Sequence, residues 1–168
     1  MKHTLAVLVE NKPGVLTRVA GLFSRRGYNI ESLAVGVTEN PDVSRMTIVV
    51  TGDDRVLEQV IKQLNKLVDV IRISDLKSQE SVYRELALIK VKTTPQTRSE
   101  IMEIVNVFRA KIVDVGLESL VIEITGIEDK IKAMEKLLEH YGIKEMVRTG
   151  RVSLHRGTKT VTIETEQS

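Results

Sequence analysis

The chain carries an internal repeat. "VTGDDRVLEQVIKQL" at 50–64 lies over "ITGIEDKIKAMEKLL" at 124–138, an offset of 74. "GLFSRRGYNIESL" lies over "NVFRAKIVDVGLESL" only at a larger offset, near 85, so the second copy should have a shorter central hairpin. A duplicated unit of this length predicts two similar small domains rather than one large one.

Hydrophobic periodicity gives the order within each copy. "TLAVLVE" alternates as a strand, with Leu5, Val7 and Val9 on one face and Ala6 and Leu8 on the other. A helix is predicted from Pro13 to Arg26, with an apolar stripe of Val15, Leu16, Val19, Leu22 and Phe23 and Gly27 as its stop. Strands "NIESLAVGV" and "RMTIVVT" follow, then a helix opened by Asp53 and Asp54, then strand "VDVIRIS". The second copy reads "ELALIKVK", "TPQTRSEIMEIVNVFRA", "KIVDV", "SLVIEIT", "IEDKIKAMEKLLEHYG" and "EMVRTGRVSL". The fold class is therefore α+β, with two tandem ferredoxin-like (βαββαβ) domains. Their expected limits are 1–76 and 83–157, with a polar linker at 77–82 and a flexible tail at 158–168. Both faces of the first sheet are apolar or small (Ala6, Leu8, Ala34, Gly36, Thr47, Val49), so the face away from the helices needs a cover. The second domain and a second protomer are equal candidates.

Composition excludes several functions. Residues 1–76 hold 10 basic and 9 acidic side chains and residues 77–168 hold 15 and 14, so no basic half is available for a nucleic-acid footprint. Aromatics are only 3 %, too few for base stacking. Cysteine is absent, which removes thiolate metal sites and suits a cytoplasmic location. No signal peptide or membrane span is expected. His3, His140 and His155 stand apart and read as surface residues, with no metal site and no catalytic constellation among the motifs.

The stretch "ENKPGVLTRVAGLFSRRGYNIESL" is different. With Pro13 at the first helical position the N-cap is Lys12, a poor capping residue, and the N–H groups of Gly14, Val15 and Leu16 lack a side-chain acceptor. Such an end suits a carboxylate or a phosphate. Asn11 and Asn29 each offer a carbonyl and an amide, a set that matches the ammonium and carboxylate of an amino acid. On residue types alone, a plain turn is the commoner use of Asn, Pro and Gly together.

The unbroken run from Glu10 to Leu33, with "SRMTIVV", "QLNKLVDV", "RELALIKV", "KIVDV", "TGIEDKI" and "YGIKEMVRTGRVSL", resembles the small, regulatory subunits of acetolactate synthase (acetohydroxyacid synthase). The resemblance reaches about residue 157 and implies that the first domain is an ACT domain. It implies a chain that is not itself an enzyme and carries no cofactor. Its partner would be a catalytic subunit using thiamine diphosphate, Mg²⁺ and FAD in valine, leucine and isoleucine biosynthesis. It implies a homodimer that activates that partner and confers feedback inhibition by valine. Valine would sit against Asn11, Lys12, Pro13, Gly14, Val15 and Leu16, with Asn29 and Ile30 supplied by the other protomer. The alternative is a stand-alone ACT-type amino-acid sensor regulating a different enzyme.

Overall fold

The structure, a computed structural model, describes residues 1–163. The chain forms two compact units: Met1–Val82 together with the described residues from Arg151 on, and Tyr83–Gly150.

In the first unit β1 (Lys2–Glu10), α1 (Val15–Arg26), β2 (Ile30–Val37), β3 (Val43–Thr51), α2 (Asp54–Leu64) and β4 (Val70–Asp75) follow one another. The sheet is antiparallel in the order β2-β3-β1-β4, which leaves β2 on an edge. Period-two alternation sends Leu5, Val7 and Val9 toward the helices, where Phe23, Met46, Ile48, Val60 and Leu64 complete the core. Phe23 meets Tyr28 edge-on, ring centroids 6.1 Å apart. Asp53 caps α2 by accepting from the Val56 N–H at 2.9 Å. Gly52 just before it admits Val56 closely, since a Cβ there would lie 2.7 Å from the Val56 side chain. The repeated Thr-Gly is thus a tight strand-to-helix entry.

The second unit contains most of β5 (Ser81–Lys92), then α3 (Arg98–Val107), β6 (Lys111–Val115), β7 (Ser119–Gly126), α4 (Glu128–Glu139) and β8 (Ile143–Arg148). Its strand order β6-β7-β5-β8 repeats that of the first sheet. Ala87, Ile89, Ile101, Ile122, Ile124, Ile131 and Met134 are fully buried between sheet and helices. The central hairpin is indeed shorter: β6 has 5 residues where β2 has 8. The fold is α+β with two ferredoxin-like units.

Four details differ from the sequence-based reading. The predicted stripe of α1 is too wide, because Leu16 remains about half exposed at its edge. "EMVRTGRVSL" is not one strand. It splits into β8 and β9 (Val152–His155), and residues 151–157 belong to the first unit. Arg151 finds partners there: its N–H donates to Ser32 Oγ and its Nη1 to Thr4 Oγ1. The expected tail is anchored over 158–163, since Val161 is buried with Ala6, Leu8, Val43 and Leu76 on the far face of the first sheet. That face is covered from within its own unit. Residues 164–168 of the expected tail lie outside the described residues. Finally, only His140 of the three histidines is exposed; His3 is buried with Nε2 3.1 Å from the Gly52 carbonyl, and His155 is half-buried.

Candidate effector site

The loop between β1 and α1 is shaped by one glycine. Gly14, not Lys12, is the N-cap of α1, and its φ of 86° is left-handed, a conformation that L side chains adopt at a cost. Pro13 lies in the turn before the helix, which starts at Val15. The chain doubles back first: the Lys12 N–H donates to the Glu10 carbonyl at 3.0 Å, and the Val15 N–H reaches the Lys12 carbonyl at 3.4 Å. No side chain caps the helix and no acidic residue stands in its first turn. The N–H groups of Leu16 and Thr17 thus point out of a positive helix end with no capping side chain. The helix start moves by two residues from the sequence-based reading, and Val15 is no longer a free donor.

Arg18 extends the positive character. Its guanidinium packs over Gly14, where an added Cβ would lie 3.1 Å from Nη1. Its Nε donates to Asp69 Oδ2 at 2.6 Å, and Asp69 is buried at the start of the chain into β4. The Asp69 carbonyl also accepts from the Glu10 N–H at 3.0 Å. One buried acid therefore ties the loop, α1 and the entry to β4 together. Lys12 pairs with Glu10 at 3.0 Å, and the hydrogen bond and charge of Glu10 raise its pKa.

Asn11 braces the other side. Its Nδ2 donates to the Pro41 carbonyl at 2.9 Å and its backbone N–H to Asp42 at 2.8 Å, both in the β2–β3 turn. The side-chain carbonyl of Asn11 is left as an acceptor for a donor such as an ammonium group.

Asn29 and Ile30 are elsewhere. Ile30 pairs with Val50, whereas Glu10 pairs with Val43, and Ser44 pairs with Val37 at the other end of β2. The eight residues of β2 separate the two clusters by about 23 Å at strand rise. A single chain brings Asn11 to Leu16 together and leaves Asn29 and Ile30 at the far end of the sheet. Arg18 and Asp69 escaped the sequence reading. An acid at an otherwise apolar point of "KLVDVI" was their one visible signal.

A family model described as the AHAS small subunit-like ACT domain matches residues 5–72. Another, described as the small subunit of acetolactate synthase, matches residues 84–157. A curated relative from Archaeoglobus fulgidus, a probable acetolactate synthase small subunit, is 63% identical over 95% of this chain and 99% of its own length. The chain belongs to the acetolactate synthase small-subunit family. The small subunit of Mycolicibacterium smegmatis is 58% identical over 95% of this chain and 94% of its own. The crystal structure of the Thermotoga maritima acetolactate synthase small subunit superposes with a TM-score of 0.89 at 43% identity, covering 95% of this chain and 99% of that one. In this small subunit the ACT domain is the first unit, and the loop at Asn11–Leu16 lies within it. No group of three or more metal-ligating side chains occurs among the described residues. No helix among them is long and apolar enough to cross a membrane.

Proposed function

We propose that this small subunit binds the catalytic subunit of acetolactate synthase in the cytoplasm, raises its activity and makes it sensitive to valine. The catalytic subunit would hold thiamine diphosphate, Mg²⁺ and FAD, and the pathway served is branched-chain amino-acid biosynthesis. Membership of the family across nearly the whole chain supports the partnership. The observation that carries the effector reading is the uncapped end of α1 behind a left-handed Gly14, roofed by Arg18 and flanked by Asn11. Its N–H groups suit the effector's carboxylate and the Asn11 carbonyl its ammonium.

The site is completed by a second copy in this proposal. β2 is an edge strand with Val35 and Val37 about half exposed or more. Two copies paired antiparallel along β2 would form an isologous homodimer and remove both open edges. That pairing sets the start of one β2 beside the end of the other. Asn29 and Ile30 of one protomer then come to the end of the sheet that carries Asn11–Leu16 of its partner. The distance between Asn29–Ile30 and Asn11–Leu16 within one chain supports drawing the two sets from different protomers.

Reconstitution tests the reading. Pyruvate is supplied to the purified chain, to the catalytic subunit and to the mixture, each with a valine series. The chain alone should be inactive, and the mixture should be several-fold faster than the catalytic subunit and inhibited by valine. A mixture no faster than the catalytic subunit would return the chain to the class of sensors that serve another enzyme.

A further inference from the structure

The far face of the first sheet is closed by residues 151–163, and these are bonded to all four strands. The Arg151 N–H donates to Ser32 Oγ on β2 at 2.7 Å, and its Nη1 to Thr4 Oγ1 on β1 at 3.2 Å. Arg45 on β3 donates from Nη2 to the Ser153 carbonyl at 2.8 Å. Arg72 on β4 donates from Nη1 to the Thr162 carbonyl at 2.9 Å. Val161 supplies the apolar anchor against Ala6, Leu8, Val43 and Leu76.

His155 Nε2 lies 3.0 Å from Ser74 Oγ on β4, and Nδ1 is buried with no hydrogen-bond partner. The charged groups that face the ring are Arg45 from β3, Arg72 from β4, Lys159 from the segment itself and Glu80 from the turn before β5. A proton on Nδ1 would add a buried donor without an acceptor and a fourth cation to a group balanced by one carboxylate. We propose that residues 151–163 form a pH-sensitive latch on the first sheet, closed while His155 is neutral and released when it is protonated.

The sign follows from linkage. Burial first, then Lys159 and Arg45, hold the imidazole below its ordinary 6.5 while the latch is closed. The released segment restores the ordinary value and so binds the proton more tightly. Docking is at full strength above the ordinary value and weakens as pH falls through it toward the lowered one. The latch opens in acid. It stands independently of the regulatory reading, because it concerns only this chain.

Amide hydrogen exchange on the full chain, corrected for the intrinsic rate, tests it between about pH 8 and about pH 5. Protection of the 152–162 amides should fall about tenfold or more in acid, while amides within Leu5–Val9 and Ile48–Val50 stay protected. His155→Gln can keep the bond to Ser74 without titrating, and its segment should hold the same protection at both values. Val161→Asp, which removes the anchor, should leave the segment open at both. The latch is overturned by undiminished protection in the native chain, or by an equal loss in His155→Gln. Loss in the interior strands together with the segment, or a protected segment in Val161→Asp, would overturn it as well.

Discussion

Gly14 shows how one residue can set both backbone and chemistry. Its left-handed φ turns the chain into α1, and its missing Cβ leaves room for the Arg18 guanidinium. Gly14→Asp acts on both. Aspartate tolerates the left-handed region better than most residues, so strain should cost about 1 kcal/mol and the fold should survive. Its carboxylate would meet Arg18 and the helix N–H groups, and would repel an effector carboxylate a few Å away. That repulsion is about 1–4 kcal/mol at effective dielectrics of 80 to 20. Valine inhibition of the reconstituted enzyme should shift by roughly five- to a thousandfold, with activation retained. An unchanged valine curve would reduce the loop to a turn. Gly14 is the cap and not a helical residue, so the added acid would stand just before the first helical turn.

Among the elements, α1 and α2 begin in opposite ways. α2 has Asp53, whose side chain accepts from the Val56 N–H, and Asp54 in its first turn. α1 has neither a capping side chain nor an acid. Capping stabilises a helix by about 1 kcal/mol, and α2 has this contribution from Asp53 while α1 does not. Asp53→Ala should lower the unfolding free energy by about 1 kcal/mol, read from the denaturation midpoint, and leave valine response unaltered. A changed valine response in that variant would place α2 in the effector pathway instead. The helix core is less forgiving. Phe23 is 1 % exposed between α1 and the sheet, and Phe23→Ala should cost about 3–5 kcal/mol by chemical denaturation.

For the molecule as a whole, β2 is one of the strands at a sheet edge. A long exposed edge strand with Val35 and Val37 outward invites pairing, and the proposed effector site needs it. Light scattering on the purified chain should give the mass of a dimer at micromolar concentration. Val35→Lys would put like charges close together across a two-fold β2 pairing, which is unfavourable in a sheet. That variant should dissociate more readily and lose valine response. A native chain that stays monomeric with and without valine would rule out the two-chain site.

Alternation and repetition are local, and what depends on them was legible in the residues. Leu5-Val7-Val9 and Leu22-Phe23 fall on the core face because strand and helix periods leave them no other. The Thr-Gly starts at Gly52 and Gly126 mark the same entry in both copies. The family likeness and the loop at Asn11–Leu16 were likewise visible. The closure of the far face was not. Arg151 and Thr4 stand 147 positions apart, and no local period encodes a bond over that distance. The residues after Gly157 have no amphipathic period; among the described ones Val161 packs on the apolar far face and Arg72 from the sheet holds the Thr162 carbonyl. His155 looked like a surface residue, its burial being a property of the strands it lies on. The Arg18–Asp69 pair also needed the fold, since 51 positions separate an exposed-looking base from the buried acid that orients it. Secondary structure and the duplicated units followed from period and composition. Which polar groups meet across the sheet was decided by tertiary packing, where most buried polar groups are paired with partners from distant parts of the chain.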